Sequence, residues 1–466
     1  MTEPPMTLHP QHHIVPETRA GRSAGLPYRL RHGLVLMGCA LTLGLAACSP
    51  PEPILKGARI SVLPEVQLEA VDEEARAEGA GLPAIVNINA APMPGLSAGH
   101  AGGNPRLEAP LNEAWRASIG GMGSELTELA QPVVGDGRVY TVAPNGIVAA
   151  FDVRDGGQIW SVRIEDIDDD PLPGIAGGLA LSREGLVVHA GGRRLALLNP
   201  SDGSVLWGIE TDIPFRGSPT IINSDRVAVT DFDGNMVVMT LVSGERVWQH
   251  FGIASNTVIF GAPAPAFADD EIVLAGAAGE VSYFDASSGE LLWTDSVASL
   301  LPRTPIQGLG DVRATPVHDG GLIFVISQSG RFVAYSARNG LPVWERAIGG
   351  IEMPWVAGET VFVLSIDGRL HALRRADGAV RWIAELDGAV PLDIVVTKTP
   401  PRYVGPIVAG GQVYVVSRTG AVQAFDANTG AAGAVFSTGQ DILTPPQVAG
   451  GRMFLLGRSG ALIAVE

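Results

Sequence analysis

Short, largely apolar runs separated by tight polar turns recur along the chain from about residue 131 onward. In the first copy, the run Val139–Val142 follows the pair Asp136-Gly137 and precedes Asn145-Gly146. Asp-Gly and Asn-Gly pairs supply the positive φ angles that tight β-hairpins require. Runs of this length between such turns are typical of buried strands. The pattern therefore predicts an all-β chain built from consecutive hairpins.

A tryptophan four residues after a glycine marks the end of most copies of the repeat. A seventh copy has Gly430 but places Ala434 where the tryptophan belongs. The copies lie roughly 46 residues apart, which is the length of a four-stranded propeller blade. A large flat ring at one fixed position is a core feature, so we expect these tryptophans to pack between blades. The six complete pairs are Gly156 and Trp160, Gly203 and Trp207, Gly244 and Trp248, Gly289 and Trp293, Gly340 and Trp344, and Gly378 and Trp382.

The last copy of the repeat lacks its tryptophan-bearing strand. It begins at Pro446 and stops at Glu466, whereas a strand with the matching pattern, Glu113–Ile119, precedes the first copy. Trp115 lies one repeat length before Trp160, so this strand is predicted to complete the last blade, which closes the ring and removes a free sheet edge. An open solenoid is the alternative, but it needs no strand exchanged between its ends. We predict an eight-bladed β-propeller of four-stranded antiparallel blades over residues 111–466.

Composition and charge narrow the possible functions. The 466 residues include 59 Gly and 34 Pro, and only 17% are charged, which suits many short strands and turns. The net charge is −17, whereas nucleic-acid partners require a basic surface. We therefore expect no nucleic-acid partner.

Groups that could perform catalysis are scattered through the repeats. The nine histidines form no H-E-x-x-H motif, and no G-x-S-x-G motif occurs. Both cysteines, Cys39 and Cys48, precede the repeats, which excludes a thiol nucleophile or a Cys-ligated zinc site there. We predict a protein without catalytic residues, metal, cofactor or small-molecule substrate, one that works by binding other proteins.

The N-terminal residues have the pattern of an export signal. The apolar run Gly33–Ala47 follows basic residues and is about 15 residues long, too short to span a bilayer but suitable for a signal-peptide core. It ends in Leu45–Cys48, which resembles the bacterial lipobox and implies cleavage after residue 47 and lipidation (including palmitoylation) of Cys48. An ordinary secretory signal with an incidental cysteine is the alternative. Because Ser49 rather than Asp follows, the resemblance implies a lipid anchor in the outer membrane, facing the periplasm.

Residues 48–110 show a different composition. They combine a Pro-Pro pair, an acidic patch at Asp72–Glu74 and segments rich in Gly, Ala and Pro, and no apolar period persists among them. Such composition is typical of linkers. We predict a lipidated, mostly disordered tether.

The repeat resembles the PQQ-like propeller repeat over residues 112–466, as in Ala150-Phe151-Asp152 followed by Gly156 and Trp160. Quinoprotein dehydrogenases share this repeat, hold pyrroloquinoline quinone and calcium, and typically stack the quinone on disulfide-bonded adjacent cysteines. The repeats of this chain contain no cysteine. A quinone- and calcium-dependent dehydrogenase therefore remains only an alternative interpretation.

The BamB family shares the same repeat and adds a lipobox, a single eight-copy propeller and closure by an N-terminal strand. This resemblance implies a noncatalytic lipoprotein of the outer-membrane β-barrel assembly (BAM) complex. Its partners would be the periplasmic POTRA domains of BamA and other BAM components, and it would aid insertion of outer-membrane proteins. Another periplasmic protein-binding propeller is a further alternative.

Two interblade segments carry the BamA contact in the BamB family. Ile213–Gly217 is similar to the first, with Ile213 and Phe215 in the place of its apolar pair and Arg216 in the place of its arginine. The second is similar to the segment from Asp311 to Arg313, in which Asp311 matches an acid and Arg313 replaces one. An apolar–arginine combination is also the composition of an interface hot spot. The resemblance thus implies that these five residues (Ile213, Phe215, Arg216, Asp311 and Arg313) contact a partner.

Overall fold

The computed structural model describes residues 70–120, 129–164, 177–253, 263–298, 312–387 and 403–466. In these residues, eight antiparallel sheets of four strands each follow one another along the chain as the blades of a propeller. The predicted all-β, eight-bladed architecture is confirmed.

Strand β1 spans Glu113–Ser118, and blades 1 to 4 follow it. Their strands are β2 (Val133–Gly135), β3 (Arg138–Val142), β4 (Ile147–Asp152) and β5 (Gln158–Arg163); β6 (Gly178–Leu181), β7 (Leu186–His189), β8 (Arg194–Leu198) and β9 (Val205–Glu210); β10 (Phe215–Ile222), β11 (Arg226–Asp231), β12 (Met236–Thr240) and β13 (Arg246–His250); and β14 (Ala266–Ala268), β15 (Glu271–Ala275), β16 (Glu280–Asp285) and β17 (Leu291–Ser296).

Blades 5 to 7 have the same meander, in which each strand pairs with the next along the chain, and blade 8 takes its first three strands from the end of the chain. Their strands are β18 (Val317–Asp319), β19 (Leu322–Ile326), β20 (Phe332–Ser336) and β21 (Pro342–Arg346); β22 (Trp355–Ala357), β23 (Thr360–Leu364), β24 (Arg369–Arg374) and β25 (Val380–Glu385); β26 (Tyr403–Ala409), β27 (Gln412–Ser417), β28 (Ala421–Asp426) and β29 (Ala432–Ser437); and β30 (Gln447–Ala449), β31 (Arg452–Leu456) and β32 (Ala461–Val465).

Burial differs between the inner and outer strands of a blade. The second and third strands, such as β3 and β4, are buried along nearly their whole length because neighbouring blades cover both faces. Outer strands such as β9 are largely exposed. Continuous apolar runs in the sequence therefore correspond to strands between two blades, as for sheets covered on both sides.

Each tryptophan of an outer strand packs on the glycine turn of the next blade. The indole Nε1 of Trp160 donates to the carbonyl oxygen of Pro200 at 2.9 Å, and a Cβ added to Gly203 would lie 2.7 Å from the Trp160 ring. Gly203 also has a φ of +75°, so the turn and the ring both require glycine there. The prediction that the tryptophans pack between blades is confirmed. The seven indole acceptors are Val153 for Trp115, Pro200 for Trp160, Leu241 for Trp207, Ala286 for Trp248, Ala337 for Trp293, Arg375 for Trp344 and Ala427 for Trp382.

Strand β1 completes blade 8, as predicted. It runs antiparallel to β32, with Trp115 opposite Ala464, and the Trp115 indole docks on blade 1 through Val153. Beyond the strand ends, the N–H of Asn112 donates to the Glu466 carbonyl at 2.8 Å and the N–H of Glu466 donates to the Asn112 carbonyl at 2.9 Å. The ring is therefore closed by pairing the first and last strands.

The same geometry explains why the seventh copy has Ala434 instead of tryptophan. A tryptophan at this position would need a glycine turn between the third and fourth strands of blade 8. Those strands are β32 and β1, which come from opposite ends of the sequence and share no turn. Without the turn, blade 8 has no glycine on which an indole could pack. A tryptophan at position 434 would therefore make no such contact, and the sequence has alanine there.

Residues 70–112 lie against the propeller, so the prediction of a mostly disordered tether is wrong for this part of the segment. Helix α1 (Glu73–Ala77) is capped by Asp72 and lies on β25, where the Arg381 guanidinium donates to the Ala75 carbonyl at 2.6 Å. Among the described residues, those after the helix form backbone hydrogen bonds to every blade except blade 3. The bonded pairs are Ala91 and Val134, Pro92 and Leu181, Ala98 and Phe267, Gly99 and His318, Gly103 and Val356, Pro105 and Gly410, and Ile88 and Gly450.

The composition of this segment explains both the docking and the wrong prediction. A Cβ added to Gly102 would lie 2.1 Å from the Trp355 ring, and one added to Gly99 would lie 2.4 Å from the His318 carbonyl oxygen. Small residues therefore let the backbone approach the blades closely, although they leave no apolar period in the sequence. Residues 48–69 lie outside the described part of the chain. Among the residues described, no helix has the length and apolar character needed to cross a bilayer.

Candidate partner-binding surface

The first predicted contact segment is the loop that joins blade 2 to blade 3. Thr211 and Ile213 precede strand β10, and the Thr211 hydroxyl donates to the Ile213 carbonyl at 2.8 Å. The side chain of Ile213 is half-buried and Asp212 beside it is exposed. Ile213 is thus available at the surface, on a loop that its own hydrogen bonds hold.

Phe215 does not share this exposure. Its side chain is 2% exposed, packs in the core between blades 2 and 3, and lies 5.7 Å from the His189 ring. The predicted direct contact of Phe215 with a partner therefore needs correction. Its aromatic ring packs in the core beneath the loop and so holds the loop in place. Burial of this apolar ring is more favourable in free energy than its exposure to water.

Arg216 is also buried, at 4% exposed, and its guanidinium carbon lies 5.5 Å from the centroid of the Phe232 ring. Arginine above an aromatic face is a favourable cation–π arrangement, and it is stronger when water is excluded. The register of β10 and β11 shifts between Arg216 and Thr220, and such bulges re-aim side chains. Arg216 pairs with Thr230, two residues before Phe232, so its buried guanidinium packs against the Phe232 ring and supports the surface rather than forming it.

Phe232 belongs to the turn between β11 and β12, which sequence analysis did not single out. Its N–H donates to the Pro214 carbonyl at 3.0 Å, which joins this turn to the interblade loop. The available signal was an aromatic residue at a turn position where the first copy has Pro144. In the same turn, burial raises the pKa of Asp231, although hydrogen bonds from Asn235 and Asp233 oppose the shift.

His189 supports the loop from blade 2. Its Nε2 lies 2.6 Å from the Gly217 carbonyl oxygen, and the Gly191 N–H donates to Nδ1 at 3.2 Å. Burial lowers the pKa of His189 to about 4, and the hydrogen bond to Gly217 only partly opposes this shift. The neutral imidazole therefore donates through Nε2 and accepts through Nδ1.

We expect acid to destabilise the protein through His189. Its pKa is about 4 in the folded protein, against 6.5 for an unperturbed histidine, so below pH 6.5 the unfolded chain binds more protons and stability falls. Between pH 7 and pH 5 this residue should account for a loss of about 2 kcal/mol. Urea unfolding of the wild type and of His189→Gln at both pH values measures it. The variant should lose about 2 kcal/mol less than the wild type, and equal losses would contradict the assignment.

The second predicted segment joins blade 4 to blade 5. Asp311 lies outside the described residues. Arg313 is mostly buried and its Nη1 lies 3.2 Å from Glu352 Oε1, in the next interblade loop. The arginine that replaces an acid is thus neutralised by a neighbouring acid of the same chain.

The two predicted segments are not neighbours on the propeller. A third interblade loop, between β13 and β14, lies between them. The structure therefore brings together Ile213, Phe215 and Arg216, but it places Arg313 two interblade loops away. Within the described residues, no group of three or more His, Cys, Asp or Glu side chains could hold a metal ion.

Comparison with known proteins agrees with this architecture. A family model described as "Outer membrane protein assembly factor BamB" matches residues 144–384 and 396–466. The assembly factor BamB of Shewanella oneidensis is 25% identical over 276 residues, which cover 58% of this chain and 69% of that protein.

Two solved structures have a similar fold. The crystal structure of BamB from Moraxella catarrhalis has a TM-score of 0.63 and 19% identity, and the match covers 77% of this chain and all of that one. A quinohemoprotein alcohol dehydrogenase from Comamonas testosteroni has a TM-score of 0.61 and 15% identity, with 85% and 82% of the chains covered. These two likenesses show the propeller fold alone, whereas the family model spans the repeats themselves. This chain belongs to the BamB family of outer membrane protein assembly factors.

Proposed function

We propose that this protein is a noncatalytic lipoprotein scaffold of the BAM complex that binds the POTRA domains of BamA and aids insertion of outer-membrane proteins. One observation carries the proposal. The interblade loop at Ile213, which resembles the BamA-contacting segment of the family, is held in place from below by Phe215, Arg216 and His189. A surface loop supported in this way is pre-organised, which lowers the entropic cost of binding.

The lipobox supports the proposed location. Lipidation of Cys48 would anchor the protein in the outer membrane, facing the periplasm, where BamA domains are found in this family. Several acyl chains give a stable anchor where one does not. Mass spectrometry of the N-terminal peptide from membranes tests this part, because an unmodified Cys48 would contradict it.

Co-purification from detergent-solubilised membranes tests the partner. We expect BamA to co-purify with the tagged wild type. The amount of BamA recovered should fall about tenfold or more with Ile213→Asp, because a charge would replace an apolar contact of the loop. Arg216→Ala should have a similar effect through loss of support for Phe232. Mass spectrometry of the eluate and immunoblotting for BamA measure both.

Matched controls separate binding from folding. Ile159→Asp changes an exposed isoleucine on outer strand β5, away from the interblade loops, and should leave BamA recovery unchanged. Thermal unfolding of each variant identifies any loss of folded protein. Failure of the wild type to recover BamA would overturn the proposed function, and recovery unaffected by Ile213→Asp would overturn the assignment of the loop.

A further inference from the structure

Residues 84–88 lie on the face of the propeller opposite the interblade loops, and we name them the distal edge. The first strand of each blade begins at an interblade loop and ends at the turn to the second strand, so these turns lie on the opposite face. In blade 8 this turn contains Gly450, whose N–H donates to the Ile88 carbonyl at 2.6 Å. In blade 7 it contains Gly411, whose N–H donates to Asn104 Oδ1 at 3.0 Å. A ligand on the distal edge therefore does not compete with a partner at the interblade loops.

One side of the distal edge has backbone groups that are free to pair. Val86 uses both of its groups in a parallel β-bridge, since its N–H donates to the Asn104 carbonyl at 3.1 Å and its carbonyl accepts from the Arg106 N–H at 2.8 Å. Consecutive residues of an extended segment direct their backbone groups to opposite sides. The groups of Ile85 and Asn87 therefore face away from this bridge, and no described residue forms a hydrogen bond with them.

The side chains of the distal edge are apolar and exposed where the backbone is free. Ile85 is 53% exposed and Val86 is 47% exposed. An open groove lies beside them, and its lining residues are Ile85, Asn87, Arg106, Leu107 and Glu108. Free backbone groups next to exposed aliphatic side chains and a groove form the type of surface to which an extended peptide adds as a further strand.

The absence of charge narrows the kind of strand that this surface would accept. Residues 79–105 contain no Asp, Glu, Lys or Arg, although the protein has a net charge of −17. Arg106 is paired with Glu108 of the same segment at 2.5 Å. An uncharged edge provides no opposite charge to offset the desolvation of an ionic side chain, so it favours an uncharged strand.

The small size of the distal edge argues for a transient ligand. Each partner in a stable dimer buries roughly 800 Å², which five residues cannot supply, so a second copy of this chain is not the favoured occupant. Transmembrane strands of outer-membrane barrels are about ten residues long and alternate apolar with polar residues. Before insertion, such a strand has unpaired backbone groups and an apolar face, which match the two features of the distal edge.

We propose that the distal edge binds an extended strand of an outer-membrane protein, by transient strand pairing, before that protein is inserted. This inference rests on the proposed function and deepens it, because it gives the protein a direct contact with the proteins whose insertion it aids. The interblade loops and the distal edge lie on opposite faces, so one molecule could contact BamA and such a strand at the same time.

Peptide binding to the full-length protein tests the inference. The probe is a fluorescein-labelled peptide of ten residues in which valine or tyrosine alternates with threonine or serine, and fluorescence anisotropy measures its binding. The control peptide has proline at alternate positions, so it lacks the N–H groups needed for strand pairing. We expect at least about tenfold weaker binding of the control peptide, and equal binding of the two would overturn strand pairing.

Variants of the distal edge locate the binding site. Ile85→Lys places a charge on the edge, and Asn87→Pro removes an N–H with which no described residue pairs, so each should weaken peptide binding about tenfold or more. The matched control is Val435→Lys, because Val435 is 60% exposed on outer strand β29. It should change binding less than about twofold. Thermal unfolding should be nearly unchanged in all three, and similar losses from Ile85→Lys and Val435→Lys would overturn the site.

Crosslinking in cells tests the occupant. A photo-crosslinking amino acid at position 85 should form adducts that mass spectrometry identifies as outer-membrane barrel proteins, and one at position 435 should not. Adducts of position 85 with BamA or with a second copy of this chain instead would show that the stated occupant is wrong.

The outcomes separate this inference from the proposed function. If BamA co-purifies with the wild type but the alternating peptide does not bind, the distal edge is wrong and the scaffold function stands. If the peptide binds at the distal edge but BamA is not recovered, the proposed function fails while the strand-binding surface stands.

Discussion

Replacing Trp382 by alanine should lower the free energy of unfolding by about 3–5 kcal/mol. The indole is 3% exposed, packs on the Gly430 turn of blade 7, and donates to the Ala427 carbonyl at 2.9 Å. Its removal leaves a cavity between two blades and an unsatisfied carbonyl. Chemical denaturation monitored by circular dichroism measures the loss.

Introduction of a tryptophan at Ala434, in the seventh copy of the repeat, is the control for the stabilisation by a docked indole. Ala434→Trp introduces the consensus residue but finds no glycine turn in blade 8, so it should not stabilise the protein. A gain of about 1 kcal/mol or more from Ala434→Trp would show that the indole does not need the glycine turn. Together, the two variants show whether the indole contributes to the free energy of unfolding by itself or only where a glycine turn is present for it to pack on.

Trp115→Ala should cost a similar free energy and should also open the ring. Trp115 is the one docking tryptophan whose strand, β1, is held by pairing with the other end of the chain. Losing its contact with Gly156 and Val153 weakens the attachment of blade 8 to blade 1. We expect an unfolding free energy lower by about 3–5 kcal/mol.

Hydrogen exchange distinguishes ring opening from a local cavity. In Trp115→Ala, amides of β1 and of the paired strand β32 should both exchange faster, although they are far apart in sequence. In Trp382→Ala, the faster exchange should centre on blades 6 and 7. Unchanged protection of β32 in Trp115→Ala would contradict the role of Trp115 in closure.

The repeats made the fold predictable because a tryptophan and a glycine recur at a fixed spacing. In each case the tryptophan of one blade packs on the glycine turn of the next blade. Gly203 illustrates this, since its positive φ and its place under Trp160 leave no room for another residue. The absence of tryptophan at Ala434 could be seen in the sequence but not explained there. Its cause lies in blade 8, whose third and fourth strands share no turn.

Other features could not be predicted for physical reasons. Residues 70–112 dock through backbone hydrogen bonds and small residues, which leave no apolar period. At the candidate surface, the sequence predicts that the Ile213 loop contacts a partner, but it could not show that Phe215 is buried in the core. Apolar character alone does not distinguish a core side chain from a surface one, and Phe232 does not belong to a repeated motif.

Closure by β1 and β32 also sets an order of events for folding. During synthesis, residues 113–118 emerge more than 300 residues before their partners at 461–465. The eighth blade therefore cannot form before β32 has been synthesised. Until that moment β1 has an open edge, and strands with open edges are prone to pair with other chains. We expect that protection of this strand by chaperones matters more for this protein than for a propeller whose blades each come from one continuous stretch of sequence.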